Sequence, residues 1–93
     1  MNALTDAQAA TRLAELPEWR IEEGILTRIF QFRDFVEALA FVNRVGVQAE
    51  KAAHHPDIDI RYNRVRLALI THDAGGLTAK DFDLAAAADG SVD

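Results

Sequence analysis

Apolar and polar positions along the chain change period several times, and each change marks an element. Thr5-Asp6-Ala7-Gln8 has the form of a capping box, in which the Thr5 hydroxyl takes the amide of Gln8 while the Gln8 side chain reaches back. It predicts a first helix from about Asp6 to Glu15, ended by Pro17, which has no amide to donate and disfavours helical geometry at Leu16. Trp19-Arg20-Ile21-Glu22 then alternates apolar with polar, Glu23-Gly24 supplies turn chemistry, and Ile25 to Phe32 is rich in β-branched and aromatic residues, the pattern of a hairpin. From Asp34, which opens a second box with Glu37, the period lengthens. Phe35, Leu39, Val42, Val45, Ala49 and Ala52 recur at amphipathic-helix spacing, predicting a helix of about twenty residues, roughly 30 Å long, that Pro56 stops. Ile58, Ile60 and Tyr62 alternate with Asp57, Asp59 and Arg61. After Asn63-Arg64, Val65, Leu67 and Leu69 alternate with Arg66, Ala68 and Ile70, giving a second hairpin with one buried and one wetter face. Ala74-Gly75-Gly76 breaks that strand. Thr78-Ala79-Lys80-Asp81 resembles a third box, with Leu77 and Phe82 as its hydrophobic staple, and the last helix fades through Ala85 to Ala88 before Gly90.

The order α-β-β-α-β-β-α, without linker or low-complexity stretch, predicts a single α+β domain over residues 1–93. Its simplest packing is two layers, a four-stranded antiparallel sheet with the helices on one face. A chain of 93 residues buries only roughly 60–65% of the surface it exposes when unfolded, so a core is possible but a deep, self-contained cavern is not. Association into a homodimer or homotetramer would add burial and could complete a site. The formal net charge of −5 argues against partners such as nucleic acid or an anionic membrane, which select for lysine and arginine surplus, and favours a neutral or cationic small ligand. The absence of cysteine excludes disulfides, thiolate catalysis and cysteine-bearing metal sites. The first residues lack the basic and apolar regions of a signal peptide, and no apolar run reaches the ~20 residues that span a bilayer, so the reading is a cytoplasmic protein with no membrane partner.

Within this frame the histidines stand out, because all three lie between residues 54 and 72. In EKAAHHPDIDIRY, Glu50 and His54 are four apart on one helix and predicted to share a face, while the helix C-terminus favours a cation at His54. His55, preceding Pro56, is pushed toward extended geometry, so the two adjacent rings should diverge like the walls of a pocket. The second hairpin should return His72 to the level of residues 54 to 57, and Asp81 follows the glycine turn. Imidazoles that exchange protons near neutrality, together with a carboxylate, fit an acid–base site. A structural role for each ring remains the competing reading, and Asp81 is equally explained as the capping partner of Thr78. Metal is not expected, since adjacent histidines chelate one ion poorly and no H-x-H, H-E-x-x-H or carboxylate-rich cluster occurs. Trp19, Phe30 and Phe32 read as core rather than ligand platform.

The run Glu50-x3-His54-His55-Pro56-x5-Tyr62-x9-His72-x8-Asp81 resembles the signature of the pterin-4a-carbinolamine dehydratases, and Tyr62-Asn63-Arg64-Val65, Thr71-His72-Asp73 and Gly75-Gly76-Leu77-Thr78 agree with it. The resemblance implies an antiparallel sheet with helices on one side, and dimers or tetramers built by sheet extension and helix contacts. It also implies dehydration of 4a-hydroxytetrahydropterin to quinonoid dihydropterin, in recycling of the pterin used by an aromatic amino acid hydroxylase, with no metal or organic cofactor. By position, His54, His55 and His72 are then the active-site histidines and Asp81 their supporting carboxylate, orienting His72 or the helix start. Glu50, Trp19, Pro56, Asp73 and Gly75 fall at or near the pterin pocket. The alternative function is a protein-binding module, because animal members of that family also act as dimerisation partners of a homeodomain transcription factor. The Val42/Val45 face of the long helix is the expected surface for that role, although the acidic balance lends it no support.

Overall fold

The computed structural model describes residues 2–93. Helix α1, Asp6–Leu13, begins at the Thr5 capping box, with Thr5 accepting from Gln8 N at 3.1 Å and Gln8 Oε1 accepting from Thr5 N at 2.9 Å. It ends two residues earlier than Pro17 alone would require. Glu15 N and Leu16 N bond to the carbonyls of Arg12 and Leu13, three residues back, so the last turn tightens before the proline is reached. Strands β1, Arg20–Glu22, and β2, Ile25–Gln31, form the first hairpin, with Glu22 opposite Ile25. Between them Glu23 and Gly24 both have positive φ, 52° and 79°, a requirement of the tightest hairpin turns that glycine meets without strain.

Helix α2, Phe35–Ala52, is followed by β3, Asp57–Arg61, and β4, Arg64–Leu69, then by helix α3, Ala79–Asp89. The sheet runs β1-β2-β4-β3, every pair antiparallel. Leu26 lies opposite Leu69 and Phe30 opposite Val65, and these side chains with Leu67 form the covered face. Phe41, Val45 and Ala49 of α2 and Phe82, Leu84, Ala85 and Ala88 of α3 belong to the same core. This is the predicted α+β architecture, helices on one side of one four-stranded sheet.

Three local expectations are revised. The buried stripe of α2 is Ala38, Phe41, Val45 and Ala49, while Phe35 and Leu39 remain 45% and 41% exposed. The helix is apolar on more than one side, and the stripe carrying Phe41 wins because that ring meets Phe30 and Phe32 at centroid distances of 4.5 and 4.9 Å. Asp34 caps α2 by accepting from Glu37 N, but Glu37 accepts from Arg33 N, so this box is not reciprocal. The second hairpin turns at Tyr62-Asn63 rather than Asn63-Arg64, since Arg61 pairs with Arg64 and Tyr62 has φ 53°. Asn63 Nδ2 anchors that turn on Phe32 O at 2.8 Å.

Candidate active site

The C-terminus of α2 departs from the helix axis through Ala53, whose φ of 51° lies in the left-handed region. Its amide bonds back to Ala49 and Glu50, and His54 N bonds to Ala49 O at 3.1 Å. A left-handed residue at this place satisfies the last carbonyls and turns the chain aside, so the helix ends here, three residues before Pro56. Across the gap, β4 gives way to Thr71, which brackets a short turn with Gly76: Thr71 N bonds to Gly76 O at 3.2 Å. A 3-10 turn, His72–Ala74, fills the bracket and closes on Gly75 at φ 72°.

Asp81 joins these two segments. It is fully buried at the start of α3, where its Oδ2 accepts from Thr78 N at 2.9 Å and from Thr71 Oγ1 at 2.8 Å. Its Oδ1 lies 2.6 Å from His54 Nε2. As a carboxylate it accepts all three bonds, so His54 donates through Nε2 and the neutral ring keeps its lone pair on Nδ1. Thr71 spends its proton on Asp81, which makes Thr78 the donor in the 2.8 Å Thr71–Thr78 hydroxyl contact. The result is a polar chain from helix cap to imidazole with no buried side-chain polar atom left without a partner among the described residues.

The three histidines, with Ala53, Ile70, Thr71, Asp73 and Lys80, line one open cleft of about 280 Å³. That is near the lower end of the ~300–1,000 Å³ typical of small-molecule sites. The His54 side chain is 11% exposed and that of His55 61%, so the adjacent rings diverge, one inward and one to the rim. His55 Nε2 contacts Glu50 Oε2. His72 is exposed, and its ring makes no hydrogen bond to the described residues.

Some sequence assignments change. Glu50 partners His55 rather than His54, because the left-handed Ala53 swings His54 away from the helix face that residues four apart would share. Asp81 serves both the start of α3 and an imidazole, but the imidazole is that of His54, not His72. Asp73 lines the cleft, whereas Pro56 and Gly75 do not. Trp19 is elsewhere: it is buried edge-on against Phe30 and donates Nε1–H to Asp89 Oδ1 at 2.8 Å. The hollow it borders, of about 320 Å³, contains no imidazole. Conversely, the reading of spacing gave no role to Thr71 or Lys80. Thr71 carries no signal of its own, because its importance comes from facing the Thr78-x-x-Asp81 box across the turn. Among the described residues, no group of three or more imidazoles and carboxylates is arranged to hold a metal ion.

The site is thus a small cleft lined by three imidazoles, one of them held by a buried carboxylate, on an α+β domain whose four-stranded sheet carries its helices on one side. A family-wide profile described as pterin 4 alpha carbinolamine dehydratase matches residues 2–91, and the chain belongs to this family. A protein of Acidobacterium capsulatum, provisionally named a pterin-4-alpha-carbinolamine dehydratase, is 60% identical over 86 residues, covering 92% of this chain and 94% of the relative. One of Chloroflexus aurantiacus, named in the same way, is 58% identical over 89 residues, covering 96% of each chain. A crystal structure of a transcriptional coactivator/pterin dehydratase from Brucella melitensis superposes with a TM-score of 0.94 at 33% identity, over 99% of this chain and all of the other. A pterin dehydratase-like RuBisCO assembly factor of the alpha-carboxysome shares the fold, with a TM-score of 0.69 at 22% identity over 81% of this chain and 89% of that one.

Proposed function

We propose that the protein dehydrates a 4a-hydroxytetrahydropterin to the quinonoid dihydropterin. The observation that carries this reading is His54, held by the buried Asp81, on the wall of a cleft that His55 and His72 also line. The elimination breaks the C4a–O bond and forms a C=N bond to the neighbouring ring nitrogen. It needs one proton delivered to the departing hydroxyl and one removed from nitrogen. His54, held by Asp81 through Nε2, keeps Nδ1 free as the base for the ring-nitrogen proton. His72, whose ring bonds to none of the described residues, supplies the proton that leaves with water. His55, steadied by Glu50 at the rim, holds the pterin. The fall of two protons and one hydroxyl into this pattern uses only imidazole chemistry, so no metal or organic cofactor enters the reading. A place in pterin recycling beside an aromatic amino acid hydroxylase follows from the same chemistry, since such an enzyme supplies the carbinolamine.

The test is a coupled assay in which a hydroxylase generates the carbinolamine and its disappearance is timed with and without this protein. His54→Ala and His72→Ala should each lower kcat by about 10²-fold or more, the range of positioned acid–base groups. Full turnover in a variant lacking all three imidazoles would refute the assignment. A second reading, binding of another protein, is favoured by one feature, the exposed apolar residues Val36, Leu39 and Val47 along α2. The expected Val42/Val45 face does not serve, because Val45 is fully buried. A Leu39→Glu variant that keeps dehydration but loses a bound partner would separate the two roles.

A further inference from the structure

Lys80 stands at one edge of the histidine cleft. The same side chain borders a second hollow, of about 340 Å³, between α2 and α3, whose walls also include Gln48, Lys51, Asp83 and Leu84. Lys51 and Lys80 are the only lysines in the sequence, and both stand here. Most other cations are engaged: Arg12, Arg20, Arg28, Arg33 and Arg61 each have a carboxylate partner, and Arg44 donates to Ser91 O. Neither lysine ammonium takes part in an ion pair or side-chain hydrogen bond with the described residues. The carboxylate that lines the hollow, Asp83, is held by Arg12 at 2.8 Å. A protein of net charge −5 therefore presents two uncompensated ammonium groups in one recess that adjoins its candidate active site.

We propose that this recess is a subsite for an anionic group, a carboxylate or a phosphate, at the end of the pterin's C6 side chain. The inference rests on the dehydratase reading and names its substrate class. Lys80 stands where the ring site passes into the recess, Lys51 meets the far end of the side chain, and Leu84 offers an apolar wall to its carbons. Ammonium groups suit the task because they bind anions as point charges and do not demand the planar two-point geometry of a guanidinium. An anionic group here would run against the expectation of a neutral or cationic ligand drawn from overall charge, because both lysines of the chain stand at this one recess.

The experiment compares turnover of three 4a-hydroxytetrahydropterins whose C6 side chains end in a hydroxyl, a carboxylate or a phosphate. The wild-type protein should favour an anionic substrate in kcat/KM, mostly through KM. Lys51→Gln, a change at an exposed side chain outside the histidine cleft, should lower the ratio of anionic to hydroxyl-ended kcat/KM about tenfold, the loss expected for one charge-assisted contact. The preference should also weaken as salt is raised. Which of the two anions gains more tells carboxylate from phosphate. Equal turnover of all three substrates, unaltered by Lys51→Gln, overturns the subsite while leaving the dehydratase reading intact. No acceleration of any of the three overturns both.

Discussion

At Asp81 a buried carboxylate accepts from Thr78 N, Thr71 Oγ1 and His54 Nε2, so its removal disturbs a helix cap and a candidate catalytic ring together. Asp81→Asn preserves shape but replaces one acceptor oxygen by a donor, which must then face either His54 or the Thr71–Thr78 pair. The expected cost is about 1–3 kcal/mol of stability, read from urea unfolding, because a buried donor loses its acceptor. The expected fall in kcat is about 10²-fold with KM little changed, because His54 loses its fixed tautomer. Glu50→Gln provides the contrast. Glu50 and His55 are exposed, so the change should stay within about 0.5 kcal/mol and act chiefly on KM. The capping half of Asp81's role was legible as Thr78-x-x-Asp81, a purely local pattern. Its bond to His54 was not, because that contact spans 27 positions and depends on a backbone angle at Ala53 that alanine does not advertise.

Element boundaries were readable wherever a side chain bonds to the backbone of its own segment, as at Thr5, Asp34 and Thr78. They were misjudged where the backbone alone decides, at the tightened end of α1 and at the turn Tyr62-Asn63. The orientation of α2 was misjudged for a different reason: two apolar stripes compete on one helix, and only the packing of Phe41 against the sheet aromatics selects between them. Two substitutions test the backbone account of α2 directly. Ala53→Gly should raise stability by about 0.5–1 kcal/mol, since glycine adopts φ near +51° without the strain that alanine bears. Gly46→Ala, within the helix and with nothing within 4 Å of the added carbon, should gain a similar ~0.5–1 kcal/mol by restricting the unfolded chain. Both are read as shifts in the urea midpoint at constant slope. If Ala53→Gly instead lowered kcat, the rigid exit from α2 would be part of what aims His54 at the cleft.

For the whole molecule, the outer side of α2 is the largest departure from a closed apolar core. Phe35, Val36, Leu39 and Val47 are 45%, 74%, 41% and 54% exposed, and on a helix they fall along one side, away from the buried stripe. Apolar surface of this kind in a small domain marks an interaction face, and a second copy of the chain is the simplest occupant. If a second copy covers this face, Leu39→Glu, or Val36→Glu as an independent variant, should dissociate that assembly, seen as a fall in mass by light scattering without loss of helical signal; an unchanged mass would remove the second copy from this face. The site geometry then makes a sharper prediction about activity. His54, His55, His72 and Asp81 all come from one chain and meet beyond the C-terminal end of α2, whereas Val36 and Leu39 lie in its first half. The dissociated variant should keep kcat per subunit within about twofold of the parent, as expected for a surface change away from the reacting groups. A much larger loss in a folded monomer would mean that a neighbouring copy supplies part of the cleft, and the one-chain description of the proton path would have to be replaced by one that crosses the interface.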